Sequence, residues 1–486
     1  MAVYPKGTLV FSSWSRPVRV VVVGCGPAGV YAADLLTKSE RVKSGGLVVS
    51  IDVFDRYPAP FGLIRYGVAP DHPRIKGIIG ALHKVLDRGD IRFFGNVDYG
   101  VDLSLADLRK HYDVVIFATG AVDDAALNIP GIGLRGSFGG ADFVSWYDGH
   151  PDVSREWPLD AEQVAVLGNG NVALDVARVL SKHADDLLVT EIPENVYAGL
   201  KGSPVTDVHV FGRRGPAQIK FTPLELRELS HSRDVDIILY PEDFEFDEAS
   251  DEAIRSNNQV KTMVNTLTNW LVEQPEESRA SRRLHLHFLH NPVEVLGEGG
   301  VVTGIRFERT ELDGTGNARG TGEFLEYPVQ AVYRSIGYFG SALPEVEFDA
   351  GRGVVVNEGG RVLDAEGKPV PGLYATGWIK RGPVGLIGHT KGDALETVTC
   401  VLEDLEGLPV AEVPGEDAIT GLLEARGVRY TTWEGWHALD THEKNLGHHW
   451  NQQGRGTLEG RPVVRERIKV VPREDMIRAS RGGAAV

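Results

Sequence analysis

Residues 18–36 read VRVVVVGCGPAGVYAADLL, which is an unbroken apolar run, a glycine-rich turn and then an amphipathic pattern. Apolar runs without polar alternation are typical of strands buried on both faces, and such strands form parallel sheets. Residues 163–180 read QVAVLGNGNVALDVARVL and repeat this strand–turn–helix pattern. We therefore predict an α/β fold with two Rossmann-like dinucleotide-binding domains.

Three further apolar runs indicate how the two domains are connected. They are VVSIDVFDR (48–56), YDVVIFATGA (112–121) and PGLYATGWIK (371–380). Because the two ATG turns flank the second glycine-rich unit, we predict that the second domain is inserted into the first. The predicted boundaries are a loose leader at 1–17, a first domain at 18–121 that resumes at 345–486, and an inserted domain at 122–344. Residues 310–322 read as a hairpin loop, and the tail from 415 as an extension packed on the first domain.

Composition and charge exclude several classes of protein. The 486 residues carry a net charge of −17, which argues against nucleic acid as a partner because phosphate binding needs a basic face. The only cysteines are Cys25 and Cys400, so we expect no redox dithiol, no metal centre and a reducing, cytoplasmic compartment. No apolar run is long enough for a membrane span or a signal peptide.

The first glycine-rich turn fits the dinucleotide motif G-x-G-x-x-G. Gly24 allows the tight turn, Gly26 and the adjoining Pro27 let the backbone approach a pyrophosphate, and Gly29 lets helix and strand pack closely. Asp55 ends the next strand and can accept a hydrogen bond from a ribose 2′-hydroxyl. This turn is predicted to bind a nucleotide; the alternative is a glycine-rich turn without a ligand.

The second glycine-rich turn differs from the first in the residues that are expected to distinguish NADP from NAD. Gly168 and Gly170 keep the roles of the first two glycines, and Ala173 replaces the third. The following strand ends in Arg213 and Arg214 where NAD-binding folds place a carboxylate. A guanidinium group can donate two parallel hydrogen bonds to a phosphate, so the two arginines predict binding of the 2′-phosphate of NADP(H). The alternative is two surface arginines on a solvated turn. Two dinucleotides in one chain indicate a flavoenzyme, with FAD in the first domain and NADPH in the second.

Four long motifs resemble a known family. They are PFGLIRYGVAPDHPRIK (60–76), GNGNVALDVAR (168–178), FGRRGPAQIKFTPLELRE (211–228) and GWIKRGPVGLIG (377–388). Together they resemble the adrenodoxin-reductase type of ferredoxin–NADP⁺ reductase, and the tail RGVRYTTWEGWHALDTHE resembles its bacterial branch. The resemblance implies an FAD-containing oxidoreductase that passes electrons from NADPH to a ferredoxin-type iron–sulfur protein.

The resemblance also implies binding roles by position. Residues implied to line FAD are Ala28, Asp55, Leu63, Val97, Tyr99, Trp378, Gly385, Leu386 and Ile387. Residues implied to hold NADP are Asn169, Gly170, Asn171 and Val172 at the pyrophosphate, Arg213 and Arg214 at the 2′-phosphate, and Glu225 elsewhere on the nucleotide. The sequence departs from the family at Asp55, where glutamate is usual, and at Tyr99, where a small aliphatic residue is common.

Two further roles concern catalysis and the partner. By resemblance His72 and Glu228 form an active-site pair that orients the nicotinamide or relays a proton. Hydride transfer needs no general base, so we expect His72→Gln to cause a modest loss; the alternative is an orienting turn residue. Ferredoxins are generally acidic, so a basic docking face is expected, and its candidates are Arg227, Arg279, Arg282 and Arg283. We expect a monomer that contacts neither nucleic acid nor membrane.

Other classes of flavoprotein share parts of this pattern. A reductase of the thioredoxin-reductase class needs a redox cysteine pair, and a glutamate-synthase small subunit needs cluster-binding cysteines; the sequence contains neither. A flavin monooxygenase or NADPH oxidase remains an alternative, which fast reoxidation by oxygen coupled to hydroxylation would support. A non-enzymatic NADPH sensor would bind both cofactors without turnover.

Overall fold

Both glycine-rich segments have the predicted conformation in the computed structural model, which describes residues 14–384 and 387–482. The first segment forms the strand Val18–Val23 and the helix Pro27–Thr37. The second forms the strand Gln163–Leu167 and the helix Asn171–Ser181. Every side chain of the first strand is buried, as expected for a strand covered on both faces of its sheet.

The first sheet has seven strands and combines both ends of the chain. Its spatial order is Asn357–Glu358, Arg361–Leu363, Pro369–Ala375, Val114–Phe117, Val18–Val23, Val49–Asp55 and Ile91–Gly95. The last five strands of this order are parallel, and the first two form an antiparallel edge. Ala375 pairs with Phe117, so the two segments that carry the ATG turns are neighbours in space.

The second sheet has six strands, all parallel. Its spatial order is Ser137–Gly139, Ala331–Arg334, Gln163–Leu167, Asp207–Phe211, Arg282–His287 and Val235–Leu239. A smaller antiparallel sheet of His290–Glu298, Val301–Leu312 and Ala318–Tyr327 packs on it. The predicted hairpin loop is confirmed but is shorter, because the strands extend to Leu312 and from Ala318.

The inserted arrangement of the two sheets is confirmed. The strand Asp123–Asp124 pairs antiparallel with Tyr338–Phe339, and this ribbon carries the chain out of the first domain and back. The boundaries at 121/122 and 344/345 remain a prediction, and the ribbon lies beside both.

The helices cover the faces of the two sheets. Those of the first domain are Pro27–Thr37, Glu40–Lys43, Leu63–Tyr66, Pro73–Lys76, Ile79–Leu86, Leu105–His111, Trp378–Arg381 and Ile387–Glu403. Those of the inserted domain are Gly140–Tyr147, Asn171–Ser181, Glu194–Lys201, Pro223–Leu229, Glu248–Ser256 and Asn258–Glu273. The C-terminal extension contributes Glu416–Ala425, Trp433–Gln452 and Arg473–Ser480. No helix in the described part of the chain is long and apolar enough to cross a membrane.

The C-terminal extension contacts both domains, which is more than the sequence predicts. Trp436 and Leu439 join the core of the first domain, as expected. Farther along, Trp450 packs with Leu188 of the inserted domain, and the buried Arg465 donates to the carbonyl oxygen of Ile192 there. The extension therefore spans the two domains.

The leader is anchored where the structure describes it. Residues 1–13 lie outside the described part of the chain, so the prediction of a loose leader is not tested there. Arg16 forms a bidentate ion pair with Asp113 at 2.7 Å, and the indole of Trp14 donates to the carbonyl oxygen of Leu405. The prediction is therefore wrong for residues 14–17.

Candidate active site

Close backbone approaches shape the first glycine-rich turn. Gly24 has a φ of +114°, and a Cβ there would lie 2.3 Å from the carbonyl oxygen of Ala118. A Cβ on Gly29 would lie 2.0 Å from the carbonyl oxygen of Gly24. An added Cβ on Gly26 would instead have the Cα of Gly62, at 4.0 Å, as its one neighbour within 4 Å among the described residues. The turn therefore leaves room over the helix N-terminus, where a pyrophosphate can approach backbone N–H groups.

Asp55, at the end of its strand, stabilises this turn by hydrogen bonds. Its carboxylate accepts hydrogen bonds from the N–H groups of Cys25 at 2.8 Å and Tyr57 at 2.9 Å. Burial raises the pKa of Asp55 to about 6, although both N–H groups act to lower it. The contact of Asp55 with a ribose hydroxyl remains a prediction, and the residue lies on the wall of the cavity described next.

A cavity of about 350 Å³ begins at this turn and is lined by both domains. The predicted FAD residues on its wall are Gly24, Gly26, Pro27, Ala28, Asp55, Leu63, Val97, Tyr99 and Trp378. Val172, predicted to bind NADP, lines the same cavity from the inserted domain. One cavity is therefore lined by residues from both glycine-rich segments.

Three of the predicted FAD residues lie in or next to the gap between the two described ranges of the chain. Gly385 and Leu386 are outside the described residues, and for Ile387 only the backbone is described, as the first residue of a helix. Their predicted contacts with the flavin stay predictions. Trp378, just before them, is held close to the first turn, because a Cβ on the adjacent Gly377 would lie 2.6 Å from that of Ala28.

Two residues on the cavity wall escaped the sequence analysis. The ring of Tyr338 stacks on that of Trp378, with centroids 6.2 Å apart and planes at 26°. The imidazole of His150 lies edge-on to Tyr57, and burial lowers its pKa to about 4. The run SIGYFG, where the chain re-enters the first domain, could have indicated Tyr338. Nothing in the sequence marks His150.

The second glycine-rich turn repeats the geometry of the first. Gly168 has a φ of +136°, and a Cβ there would lie 2.2 Å from the carbonyl oxygen of Ser335, whereas Gly170 faces open space. The carbonyl of Asn169 accepts a hydrogen bond from the N–H of Lys220 at 3.0 Å. These contacts hold the segment after Arg213 and Arg214 against the turn, and they bring a third basic residue, Lys220, to it.

The two arginines are held by their backbone and not by their side chains. The carbonyl of Arg213 accepts from the hydroxyl of Thr310 at 2.8 Å, and that of Arg214 accepts from the N–H of Leu289 at 3.2 Å. Arg213 is exposed and Arg214 is half-buried. Within residues 14–384 and 387–482, neither guanidinium has a hydrogen-bond or ion-pair partner. Both are therefore available to an anion.

His72 lies in a buried cluster of charges that joins the two domains. Its Nε2 is 2.8 Å from Oδ1 of Asp175 and 2.9 Å from Oε2 of Glu225. Arg178 lies 2.7 Å from the same Nε2 and forms a bidentate pair with Asp71. Burial acts to lower the pKa of His72, but the Asp175 and Glu225 carboxylates outweigh it and raise the pKa to about 9. The protonated ring thus donates to a carboxylate, and only a neutral ring accepts from Arg178.

The predicted pairing of His72 with Glu228 is wrong. Glu228 lies one turn farther along the helix Pro223–Leu229, is partly exposed, and lies 3.8 Å from Nδ1 of His231. Glu225, predicted to touch the nucleotide, is the buried residue of the two and takes the place beside His72. The orientation of this helix on Asn171–Ser181 decides which carboxylate faces inward.

The chain is similar to known oxidoreductases over almost its whole length. A family model described as pyridine nucleotide-disulphide oxidoreductase matches residues 18–209. The chain is 37% identical over 463 residues to the mitochondrial NADPH:adrenodoxin oxidoreductase of Arabidopsis thaliana, covering 92% of this chain and 95% of that protein. It is 37% identical over 479 residues to NADPH-ferredoxin reductase FprA of Mycobacterium tuberculosis, covering 96% of this chain and 100% of that protein.

A solved structure shows the same architecture. The structure of Mycobacterium tuberculosis FprA in complex with NADPH superposes with a TM-score of 0.85 and 36% identity. The match covers 96% of this chain and 100% of that chain. Both domains and the C-terminal extension are therefore shared.

Proposed function

The chain belongs to the adrenodoxin-reductase type of ferredoxin–NADP⁺ reductases, and we propose that the cavity between its two glycine-rich turns is where NADPH meets FAD. The protein is an oxidoreductase that passes electrons from NADPH through FAD to a ferredoxin-type iron–sulfur protein. The observation that carries the proposal is that Gly26 and Val172, one from each turn, line one cavity.

The residues of the first turn fit FAD. The open space over Gly26 and the blocked positions at Gly24 and Gly29 suit a pyrophosphate on the helix N-terminus. Leu63, Val97 and the other apolar wall residues suit an isoalloxazine and an adenine ring. When bound, FAD supplies the chemistry that side chains lack, because it takes a hydride and releases electrons singly.

The residues of the second turn fit NADPH. We assign Asn169–Val172 to the pyrophosphate and Arg213 with Arg214 to the 2′-phosphate. The assignment is supported by the two guanidinium groups, which have no partner among the described residues, and by the room over Gly170. Tyr338 and Trp378 form the aromatic wall where the two domains meet, and we assign them to the exclusion of water from the nicotinamide.

His72 positions the two domains around the cavity in this proposal. It comes from the first domain, whereas Asp175 and Glu225 come from the inserted domain, so their contacts cross the cleft. A ring held by two carboxylates is well placed to keep a proton at Nε2 and to fix the neighbouring helix. This supports an orienting role for His72, with Glu225 in place of Glu228.

We propose a narrower docking face for the iron–sulfur protein than the four arginines that the sequence suggested. Arg283 is occupied by a bidentate pair with Asp207, and Arg282 donates to the carbonyls of Ser181 and Lys182. Arg227 and Arg279 are exposed. We therefore propose Arg227 and Arg279 as the contacts for an acidic partner.

We propose that the enzyme acts as a monomer, because one chain supplies both turns and the cavity between them. We also propose a cytoplasmic location, because Cys25 and Cys400 are both free thiols, as expected in a reducing compartment.

Anaerobic stopped-flow absorbance tests the function. The purified holoenzyme is mixed with NADPH or NADH, and then with a ferredoxin and cytochrome c. We expect rapid bleaching of the flavin by NADPH, slow bleaching by NADH, and cytochrome reduction that depends on ferredoxin. Bleaching without transfer to any ferredoxin would contradict the proposed acceptor and favour a flavoenzyme that uses oxygen.

A further inference from the structure

A second cluster of metal-ligating side chains lies on the surface, away from the cavity wall. His83 is on the helix Ile79–Leu86, Asp87 caps that helix, and His437 is on the C-terminal helix Trp433–Gln452. One ligand atom from each lies within 4.8 Å of the other two. The cluster therefore joins the first domain to the C-terminal extension.

The spacing of these atoms suits a small tetrahedral metal ion. Nδ1 of His83 is 3.0 Å from Oδ2 of Asp87, and Nε2 of His437 is 3.2 Å from Oδ1. Zinc bonds of about 2.0–2.1 Å at tetrahedral angles place neighbouring ligand atoms about 3.3 Å apart. Each imidazole nitrogen thus lies at about this distance from one of the two carboxylate oxygens of Asp87, so both histidines are within reach of an ion held by that carboxylate.

The surroundings also suit a metal. The indole of Trp433 donates to Oδ1 of Asp87 at 3.0 Å, which orients the carboxylate as a partner outside the ligand shell would. The side chains of His83, Asp87 and His437 are 24%, 43% and 48% exposed, which leaves an entry path and room for a water ligand.

The other two groups with ligand-like spacing do not fit a cation as well. In the group around His72, the Arg178 guanidinium lies 2.7 Å from the imidazole nitrogen and would repel a metal. In the group of His209, His285 and His287, the rings of the first two are stacked at 4.1 Å with planes at 11°. Their in-plane lone pairs therefore cannot converge on one ion.

We propose that His83, Asp87 and His437 bind one divalent transition-metal ion of the zinc class. The bound ion would hold the helix Trp433–Gln452 against the first domain. One side chain, that of Phe61, lies between the site and the first glycine-rich turn. Phe61 packs between His83 and Trp436, and its N–H donates to the carbonyl of Cys25 in that turn. Bound metal therefore stabilises the face on which the turn rests, without touching the cavity.

Equilibrium dialysis of the holoenzyme with ZnCl₂, after removal of metal by a chelator, tests the site. We expect one zinc ion per chain that is lost in the double variant His83→Gln/His437→Gln. Affinity should fall by more than about 100-fold, because loss of a partner outside the ligand shell alone costs 10–100-fold. The matched control is His448→Gln/His449→Gln, on the exposed side of the same helix, which should keep the zinc.

Two further measurements separate binding from damage to the fold. Bound Cu²⁺ should give an electron paramagnetic resonance spectrum with coupling to two nitrogens, which the double variant should lack. FAD content and far-ultraviolet circular dichroism should be unchanged in that variant. No stoichiometric zinc in the unaltered protein, or equal zinc affinity in the double variant, would overturn the proposal.

Discussion

Removal of the two arginines at the second turn should convert a strong preference for NADPH into a weak one. The backbone around Arg213 and Arg214 is fixed through Thr310 and Leu289. Neither guanidinium holds a partner that an alanine substitution would leave unpaired within the described residues. The substitutions should therefore remove binding energy from the 2′-phosphate with little effect on folding.

The expected magnitude follows from the contacts that are lost. A hydrogen bond to a charged group contributes about 1.5–3 kcal/mol. We take the lower end, because Arg213 is exposed and solvent screens its charge. Since about 1.4 kcal/mol corresponds to a tenfold change, each single alanine variant should lower kcat/KM for NADPH about tenfold, and the double variant about 100-fold.

The assay is steady-state reduction of ferricyanide with NADPH or NADH as donor. NADH lacks the 2′-phosphate, so its kcat/KM should stay within about twofold of the parent value. The control is Arg319→Ala, an exposed arginine of the same domain that pairs with Glu311 at 2.8 Å. We expect no change for either donor in this control.

Two results would refute the reasoning. A double variant that keeps its kcat/KM for NADPH within about threefold would show that the 2′-phosphate binds elsewhere. A parallel loss with NADH would show that the substitutions disturb the turn at Gly168–Gly170 and not the phosphate contact.

Three other outcomes test the first turn, the buried histidine and the docking face. Gly24→Ala should strip most FAD from the protein, measured by the ratio of flavin to protein absorbance, because an added Cβ would lie 2.3 Å from a carbonyl oxygen. The pKa of His72 is raised to about 9, so the stability that its charge confers is complete below pH about 6.5 and is lost as pH rises through 9. The Tm of the parent protein should therefore fall over this pH range, and it should fall less in Glu225→Gln. An equal fall of Tm in Glu225→Gln and Glu228→Gln would contradict the pairing of His72 with Glu225. Arg227→Glu should lower kcat/KM for ferredoxin about two- to fivefold at low salt, as for an exposed ion pair, and an effect that persists at high salt would argue against charge steering.

The sequence determined the architecture because its signals were local. The unbroken run at 18–23 and the glycines that follow can form only a buried strand and a tight turn, and both are observed. The insertion was predictable as well, because the two ATG turns bracket the second unit and their strands pair through Phe117 and Ala375.

The sequence does not show which of Glu225 and Glu228 faces His72, because this depends on packing between helices. Three residues apart on one helix, the two side chains lie on neighbouring parts of its surface, so periodicity alone does not separate them. The contact between this helix and Asn171–Ser181 turns Glu225 inward and leaves Glu228 at the rim. Sequence reasoning found the helix and its acidic character but had no measure of that rotation.

The relative position of the two domains depends on a cluster of charges of which the quoted motifs contain only Lys76. Lys76 of the first domain and Lys469 of the C-terminal extension both lie 2.9 Å from Glu191 of the inserted domain. Both also contact Asp148, at 3.2 Å and 3.5 Å, so two cations and two anions alternate in a buried cluster. Loss of one member of such a cluster leaves an unpaired buried charge, which costs about 3–5 kcal/mol. The relative position of the two domains is thus set by pairing among residues far apart in sequence, which the motifs alone do not reveal.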